Sequence, residues 1–164
     1  MPVAPPATQS LDTLIKQLRG DFPDYIFQSH EDALYWSPQK QTIFYPHATT
    51  QLDDKLLAGI LHELSHALLG HTRFETDVQL LRLEVAAWDK AKSLGATYAV
   101  VIDDEYAQDC IDTYREWLHK RSTCPTCTSH GVQHNKTVYR CLNCQGTWRV
   151  SDNRFCRIYR ISVK

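Results

Sequence analysis

Residues 62–71 read His-Glu-Leu-Ser-His-Ala-Leu-Leu-Gly-His and lie in a run of helical periodicity that spans residues 53–70. At about 100° per residue, one face of this helix is continuously apolar. Its members are Leu56, Leu57, Ile60, Leu61, Leu64, Ala67 and Leu68. His62, Glu63 and His66 fall on the opposite face. The stretch therefore predicts an amphipathic helix with two histidines one turn apart on its polar side.

The spacing of His62 and His66 suits a metal ion. Two imidazoles four residues apart on a helix project side by side, with about 5–6 Å between their Cβ atoms, which fits joint coordination of Zn²⁺. Glu63 lies near the same face, where it can reach a metal-bound water and act as a general base. The alternative interpretation is a solvated His/Glu face of an ordinary amphipathic helix.

A catalytic zinc ion needs a third protein ligand. His71 does not fit the three-histidine pattern, which requires Gly at residue 69 and His at residue 72, where this chain has Leu and Thr. Glu84 is better placed, because it lies in the middle of the apolar face of a second predicted helix, where an unpaired charge is costly. A buried salt bridge or partial exposure of Glu84 is the alternative. Asp77, two turns earlier, is either a partner that orients His62 or His66, or an ordinary first-turn acid.

A second group of metal-ligand type follows residue 122. Cys124-x-x-Cys127 and Cys141-x-x-Cys144 are thirteen residues apart, and each pair offers two thiolates to one tetrahedral Zn²⁺. In a chain without an export signal, such pairs favour metal over disulfides. Short strands are predicted at residues 138–140, 147–150 and 155–163. We therefore expect a structural zinc in a small β zinc ribbon, residues 122–164 (hereafter the ribbon), whose folding depends on the metal.

Charge is distributed unevenly along the chain. Residues 115–164 carry a net charge of +8, whereas residues 1–114 carry −9. This asymmetry indicates two modules, the second of which is attracted to an anion. The candidate nucleic-acid contacts all lie in the ribbon and are Arg140, Trp148, Arg149, Arg154, Arg157 and Arg160. A solvated basic face, or a surface for an acidic protein, is the alternative to nucleic acid.

Composition excludes several protein classes. The chain has 164 residues, of which 43% are hydrophobic and 23% charged, as in globular rather than disordered or fibrous proteins. No apolar run approaches the roughly 18 residues of a membrane-spanning helix, and residues 1–9 lack the basic and apolar regions of a secretory signal. We therefore expect a cytoplasmic protein with no membrane partner and with a flexible segment at residues 1–9.

The other periodicities complete the predicted fold. A short helix capped by Ser10 is followed by extended segments at residues 25–29, 34–37 and 42–45, the last two forming a hairpin. Three longer helices are predicted at residues 53–70, 76–94 and 103–121, the second of them stopped by Gly95. The sequence thus predicts an α+β fold, in which a domain of residues 10–121, a small sheet plus three longer helices, precedes the ribbon.

Residues 62–71, followed by a helix with Glu84 and then two alanines, resemble the ImmA/IrrE-type metallopeptidases and, more broadly, the small gluzincins. The resemblance covers roughly residues 10–120 and implies a zincin-like, mini-gluzincin fold. It implies zinc at His62, His66 and Glu84, with Glu63 as the base, and a strand 42–45 that pairs with an extended substrate by strand addition. The chain departs from the family at residues 83–87, which read Leu-Glu-Val-Ala-Ala where a Glu-x-Glu-Ala run is usual.

These patterns predict a zinc metalloendopeptidase of the gluzincin type. We expect Glu63 to deprotonate a zinc-bound water that attacks the scissile carbonyl of a protein substrate, while the ribbon recruits the target. The oxyanion also needs a donor besides zinc, for which Tyr98, Tyr106 and His71 are candidates.

Two other functions fit the same patterns. One is a non-enzymatic, two-zinc protein that binds nucleic acid or has a regulatory role. The other is an SprT-like protease of DNA-bound proteins, since that family also joins an HExxH helix to a Cys-rich ribbon. SprT-like proteins take a downstream histidine as third ligand, and between His71 and the ribbon this chain has only His119.

Overall fold

The computed structural model describes residues 10–47, 54–152 and 158–163. These residues form an α+β structure with four helices and two small sheets. They divide into two compact units, one within residues 10–72 and 85–107 and the other within residues 73–84 and 108–163. The predicted flexible segment 1–9 lies outside the described residues. Within the described ranges, no helix has both the length and the apolar character needed to cross a bilayer.

The first unit begins with helix α1, Leu11–Asp21. Ser10 caps this helix as predicted, because its hydroxyl oxygen accepts a hydrogen bond from the backbone N–H of Thr13 at 3.2 Å. The buried face carries the apolar residues that recur at helical spacing, Leu11, Leu14, Ile15 and Leu18. Helix α1 is thus amphipathic and packs through one face.

A three-stranded sheet follows, made of β1 (Ile26–His30), β2 (Tyr35–Ser37) and β3 (Thr42–Pro46). Strand β3 lies in the middle, parallel to β1 and antiparallel to β2, and the β2–β3 pair is the predicted hairpin. Residues 42–44 are therefore paired on both sides, and the prediction that a substrate strand adds to residues 42–45 is wrong. The open edges of the sheet belong to β1 and β2.

Helix α2, Asp54–Leu68, is the amphipathic helix predicted from residues 53–70. Its apolar face is buried, with Leu57, Ile60, Leu61 and Leu64 all at most 2% exposed. Gly70 follows the helix with a φ of 67°, the left-handed conformation that glycine adopts readily at a helix end.

Helix α3, Asp77–Thr97, runs three residues beyond the end predicted at residue 94. Gly95 does not stop it. A Cβ at this position would lie 2.5 Å from the carbonyl oxygen of Val100, so Gly95 is explained by a close backbone approach. The turn after the helix is made instead by Ala99, which has a φ of 53°.

Helix α4, Asp104–Ser122, begins and ends close to the predicted residues. Asp104 and Glu105 occupy its first turn, and His119, Lys120 and Arg121 its last. Acidic residues near the N-terminus and basic residues near the C-terminus both stabilise a helix through its dipole. The charge pattern in the sequence therefore predicted both ends of α4.

The ribbon contains a four-stranded antiparallel sheet with strand order β4-β5-β6-β7. Its strands are β4 (Gly131–Asn135), β5 (Val138–Cys141), β6 (Thr147–Val150) and β7 (Arg160–Val163). Strand β4 was not predicted from the sequence, and the predicted strand 155–163 begins only at Arg160 among the described residues. Gly131 in β4 is required by packing, since a Cβ there would collide with the indole of Trp148.

A buried arginine holds the second unit together. The guanidinium of Arg121, at the end of α4, is fully buried and stacks on Trp117 at 4.2 Å. It donates hydrogen bonds to the carbonyl oxygens of Ser151 and Lys136, at 3.1 and 2.6 Å. Its Nη2 also lies 3.6 Å from a carboxylate oxygen of Asp77. A buried charge needs several partners, and those of Arg121 come from the start of α3 and from the ribbon. These contacts therefore join both segments to the end of α4.

Candidate metal centre

The imidazoles of His62 and His66 meet on one face of helix α2. Their Nε2 atoms lie 3.1 Å apart, and the planes of the two rings are nearly perpendicular at 88°. His62 is buried and His66 half-buried. Two imidazole nitrogens that face each other in this way form an arrangement that one metal ion can bridge.

Glu84 of helix α3 completes the group. One ligand atom each from His62, His66 and Glu84 lies within 4.8 Å of the others, so the three side chains could hold a metal ion. Glu84 is only 5% exposed, as its position on the apolar face of α3 predicted. Two imidazoles and one carboxylate match a catalytic zinc site, in which three protein ligands leave a fourth position open. The donor set therefore fits zinc.

The carboxylate of Glu63 is held by the edge strand of the small sheet. The backbone N–H of Trp36 in β2 donates a 2.8 Å hydrogen bond to Oε2 of Glu63. Glu63 is half-buried, next in sequence to His62. This contact of Trp36 was not predictable from the sequence, because a backbone donor on another element leaves no residue signature.

His71 does not belong to the group of three possible ligands. Its Nδ1 lies 2.9 Å from Nδ1 of His66, the nitrogen that does not face His62. The carbonyl oxygen of His71 accepts a 3.2 Å hydrogen bond from the indole Nε1 of Trp36. His71 therefore contacts His66, a candidate ligand, at the nitrogen that points away from His62. This contact is not the role of oxyanion donor for which His71 was a candidate.

Asp77 has partners other than the predicted histidines. Its Oδ1 lies 3.3 Å from the side-chain amide nitrogen of Gln133, which donates to it, and 3.6 Å from Arg121. Burial raises the pKa of Asp77, while Arg121 and Gln133 act in the opposite direction. Of the two interpretations of Asp77, its contacts match the first-turn acid, because its carboxylate is engaged by Gln133 and Arg121 within the second unit.

The two tyrosines proposed as oxyanion donors differ in their surroundings. The hydroxyl of Tyr98 donates a 2.7 Å hydrogen bond to Asp21 of helix α1. Burial and this bond raise the pKa of Tyr98 to about 12. Tyr106 meets the indole of Trp88 edge-on at 5.7 Å, and Nζ of Lys55 lies 5.3 Å from its ring centre. Tyr98 thus has a hydrogen-bond partner at its hydroxyl. Tyr106 contacts Trp88, and the indole of Trp88 in turn stacks on His62.

The four paired cysteines form a second candidate centre. Sγ of Cys124 lies 3.6 Å from Sγ of Cys144, and Sγ of Cys127 lies 3.4 Å from Sγ of Cys141. All four sulfur atoms lie within 4.8 Å of one another. The backbone N–H of Ser129 is the main cause that lowers the pKa of Cys127, to about 5, which favours the thiolate that binds metal. The predicted set of four cysteines is therefore assembled as a possible metal site.

The predicted nucleic-acid contacts of the ribbon differ in their exposure and in their partners. Arg140 and Arg149 alternate along β5 and β6 with buried residues and lie on the exposed face. Trp148 is fully buried and stacks on Tyr139, with ring centroids 5.6 Å apart, so the prediction that it stacks on bases is wrong. Arg160 donates a hydrogen bond to the carbonyl oxygen of Thr123 at 2.9 Å. The other two candidates, Arg154 and Arg157, lie outside the described residues.

The chain was compared with family models, curated proteins and solved structures. No family model, no curated protein and no solved structure matches the chain.

Proposed function

We propose that this chain is a zinc-dependent metalloendopeptidase of the gluzincin type. The observation that carries the proposal is the convergence of His62, His66 and Glu84, whose ligand atoms lie within 4.8 Å of one another. Glu63 stands next to the first of these ligands on the same helix. A purely structural metal site has no need of a carboxylate at that position, whereas hydrolysis requires a base.

Zinc is the metal that we infer for both centres. The mixed set of two imidazoles and a carboxylate is typical of a catalytic zinc site, and four thiolates are typical of a structural one. At the first centre, bound zinc would polarise the scissile carbonyl and make a water molecule more acidic.

Glu63 moves the proton in the proposed reaction. Its carboxylate accepts a proton from the attacking water and delivers it to the nitrogen of the leaving amine. The bond from the backbone N–H of Trp36 to Oε2 fixes the orientation of this carboxylate in the free protein. Such prior orientation lowers the entropy cost of reaching the transition state.

The substrate is proposed to bind as an extended peptide along β2. This strand is at an edge of the sheet, and its residue Trp36 directs its backbone N–H away from β3 and towards Glu63. A peptide lying along this edge would bring its backbone close to the base, and it would pair with the carbonyl oxygen of Trp36, since the N–H of Trp36 is already donated to Glu63. Strand β2 thus takes the role that the resemblance assigned to residues 42–45.

The ligand set favours an ImmA/IrrE-like protein over an SprT-like one. The third side chain near His62 and His66 is a glutamate. His119, the downstream histidine that an SprT-like site would use, instead packs against His130, with ring centroids 4.5 Å apart. We propose that the ribbon recruits the target, with Arg140 and Arg149 offering an exposed basic face to an anionic partner.

The proposed activity is tested with Glu63→Gln, which keeps the size of the side chain and removes the base. We expect the zinc-loaded wild type to cleave a broad library of quenched peptides, and the variant to be about 10²–10⁴-fold slower. Zinc content should stay the same in both. Glu31→Gln, an identical change at an exposed residue, is the matched control. Wild-type protein that holds zinc at the histidines but cleaves nothing, or a variant that retains full cleavage, would contradict the proposal.

A further inference from the structure

We propose that His71 is a positioning residue that fixes the ring of His66, and that Trp36 holds His71 in place. This inference rests on the proposed metal centre and names the residues that support one of its ligands. It differs from the role of oxyanion donor, because His71 contacts His66 at Nδ1, away from the nitrogen that faces His62.

The contact follows from the way helix α2 ends. The N–H of Gly70 donates to the carbonyl oxygen of Ala67 at 3.1 Å, and the N–H of His71 donates to the carbonyl oxygen of His66 at 2.9 Å. These two bonds, with Gly70 in the left-handed conformation, define a Schellman motif. In that motif the side chains five residues apart meet, usually through apolar contact. Here the two side chains are imidazoles.

The contact between the two imidazoles fits metal binding by His66 through its Nε2. A histidine that binds metal through Nε2 is neutral and keeps its proton on Nδ1. The two Nδ1 atoms lie 2.9 Å apart, so with metal on Nε2 the Nδ1–H of His66 would donate to Nδ1 of His71, whose own proton would then lie on Nε2. A hydrogen bond at the far nitrogen fixes the ring orientation and makes the ligand more basic.

Trp36 connects this support to the proposed base. Its indole N–H donates to the carbonyl oxygen of His71 at 3.2 Å, and its backbone N–H donates to Glu63 at 2.8 Å. Tyr25 packs edge-on against the indole, with ring centroids 5.6 Å apart. One residue of the edge strand thereby holds both the base and the residue behind His66.

The test compares His71→Leu with His71→Asn. Leucine keeps the apolar contact of the Schellman motif but has no acceptor, whereas Oδ1 of asparagine occupies nearly the position of Nδ1. We expect His71→Leu to lower the zinc affinity of the histidine site about 10–100-fold and His71→Asn to stay close to the wild type. Zinc affinity is measured by competition with a chelator, with no substrate present. The cobalt(II) spectrum separates nitrogen and oxygen ligation from the thiolates of the ribbon.

Each outcome has a separate meaning. Wild-type affinity in His71→Leu would overturn the inference and leave the metalloendopeptidase proposal intact. Equal losses in both variants would also overturn it, because only the shape of the histidine would then matter. If the wild-type protein bound no metal at the histidines, both proposals would fail. Melting temperatures of the metal-free variants close to that of the wild type would show that the helix end remains folded.

Discussion

The imidazole of His62 stacks on the indole of Trp88, with ring centroids 4.2 Å apart and planes inclined by 24°. Trp88 lies one turn after Glu84 on helix α3, so the two side chains share a face of that helix. The buried indole covers one side of the ring, whose Nε2 faces His66. The apolar face of α3 therefore orients one candidate ligand, His62, and carries another, Glu84.

Replacing Trp88 should separate the orienting effect from general packing. We expect Trp88→Leu to weaken zinc binding at the histidines about tenfold, because His62 loses the flat surface that restrains its ring. Trp88→Phe keeps an aromatic surface and should bind zinc nearly as the wild type does. Chelator competition measures the affinities, and thermal unfolding reports the packing loss in each variant. Equal zinc affinity in all three proteins would show that the stacking does not orient His62.

Glu84 should determine the metal stoichiometry. We expect metal analysis after gentle dialysis to find two zinc ions per chain in the wild type and one in Glu84→Ala, because two histidines alone hold zinc weakly. Asp89→Ala, which removes an exposed acid from the same helix, should keep two. Two zinc ions in Glu84→Ala would exclude Glu84 as a ligand. One in the wild type would mean that only the ribbon is occupied.

The ribbon should depend on its cysteines for folding. Among the described residues of the ribbon, the buried core consists of Cys124, Tyr139, Cys141, Trp148 and Val150, and a core of this size needs metal to fold. We expect Cys141→Ser to abolish the hydrogen-exchange protection of strands β4 to β6. Cys110→Ser, on helix α4 and outside the group of four paired cysteines, should leave that protection unchanged. Unchanged protection in Cys141→Ser would show that the sheet is stable without metal.

Tyr98 should make stability depend on pH in the alkaline range. Its pKa is raised from 10.0 to about 12 in the folded chain, so the folded state binds this proton more tightly than the unfolded state. The contribution of Tyr98 is therefore complete below pH 10 and declines as the pH rises towards 12. We expect Tyr98→Phe to be about 1.5–3 kcal/mol less stable at pH 8, the value of a hydrogen bond to a charged group. Urea unfolding of both proteins at several pH values should show this difference shrinking above pH 10, and a constant difference would contradict the assignment.

The exposed arginines of the ribbon should bind polyanions. Changing Arg140 and Arg149 together to alanine should weaken binding to heparin or duplex DNA, and should reduce the salt dependence by about one released counterion per arginine. Arg115→Ala, an exposed arginine paired with Asp112 at 2.6 Å, is the control. Unchanged binding by the double variant would exclude this face of the sheet as the polyanion site.

Much of the fold was predictable because it depends on short-range spacing. The buried side of α2 and the burial of Glu84 on α3 both follow from the recurrence of apolar residues at helical intervals. The hairpin β2–β3 follows from two extended segments joined by a short polar turn. The four paired cysteines were identified from their spacing alone.

Errors arose where distant segments meet. Gly95 is typical of a residue that ends a helix, yet it lies within α3. Its lack of a side chain lets the carbonyl oxygen of Val100 approach the helix closely. Trp148 lies among arginines in the sequence, but the alternation of the sheet turns it into the core. The choice between the two interpretations of Asp77 was likewise left to the contacts that it makes with Arg121 and Gln133.

By itself, the sequence determined the side chains that could bind metal, because ligands one helical turn apart, or in tight Cys-x-x-Cys turns, are arranged by local backbone geometry. Only the tertiary structure decided which residues contact these side chains and orient them. The contact of Trp36 with Glu63 crosses from strand to helix. The pairing of His66 with His71 needs the chain to reverse at Gly70, and both contacts depend on packing that no local periodicity encodes.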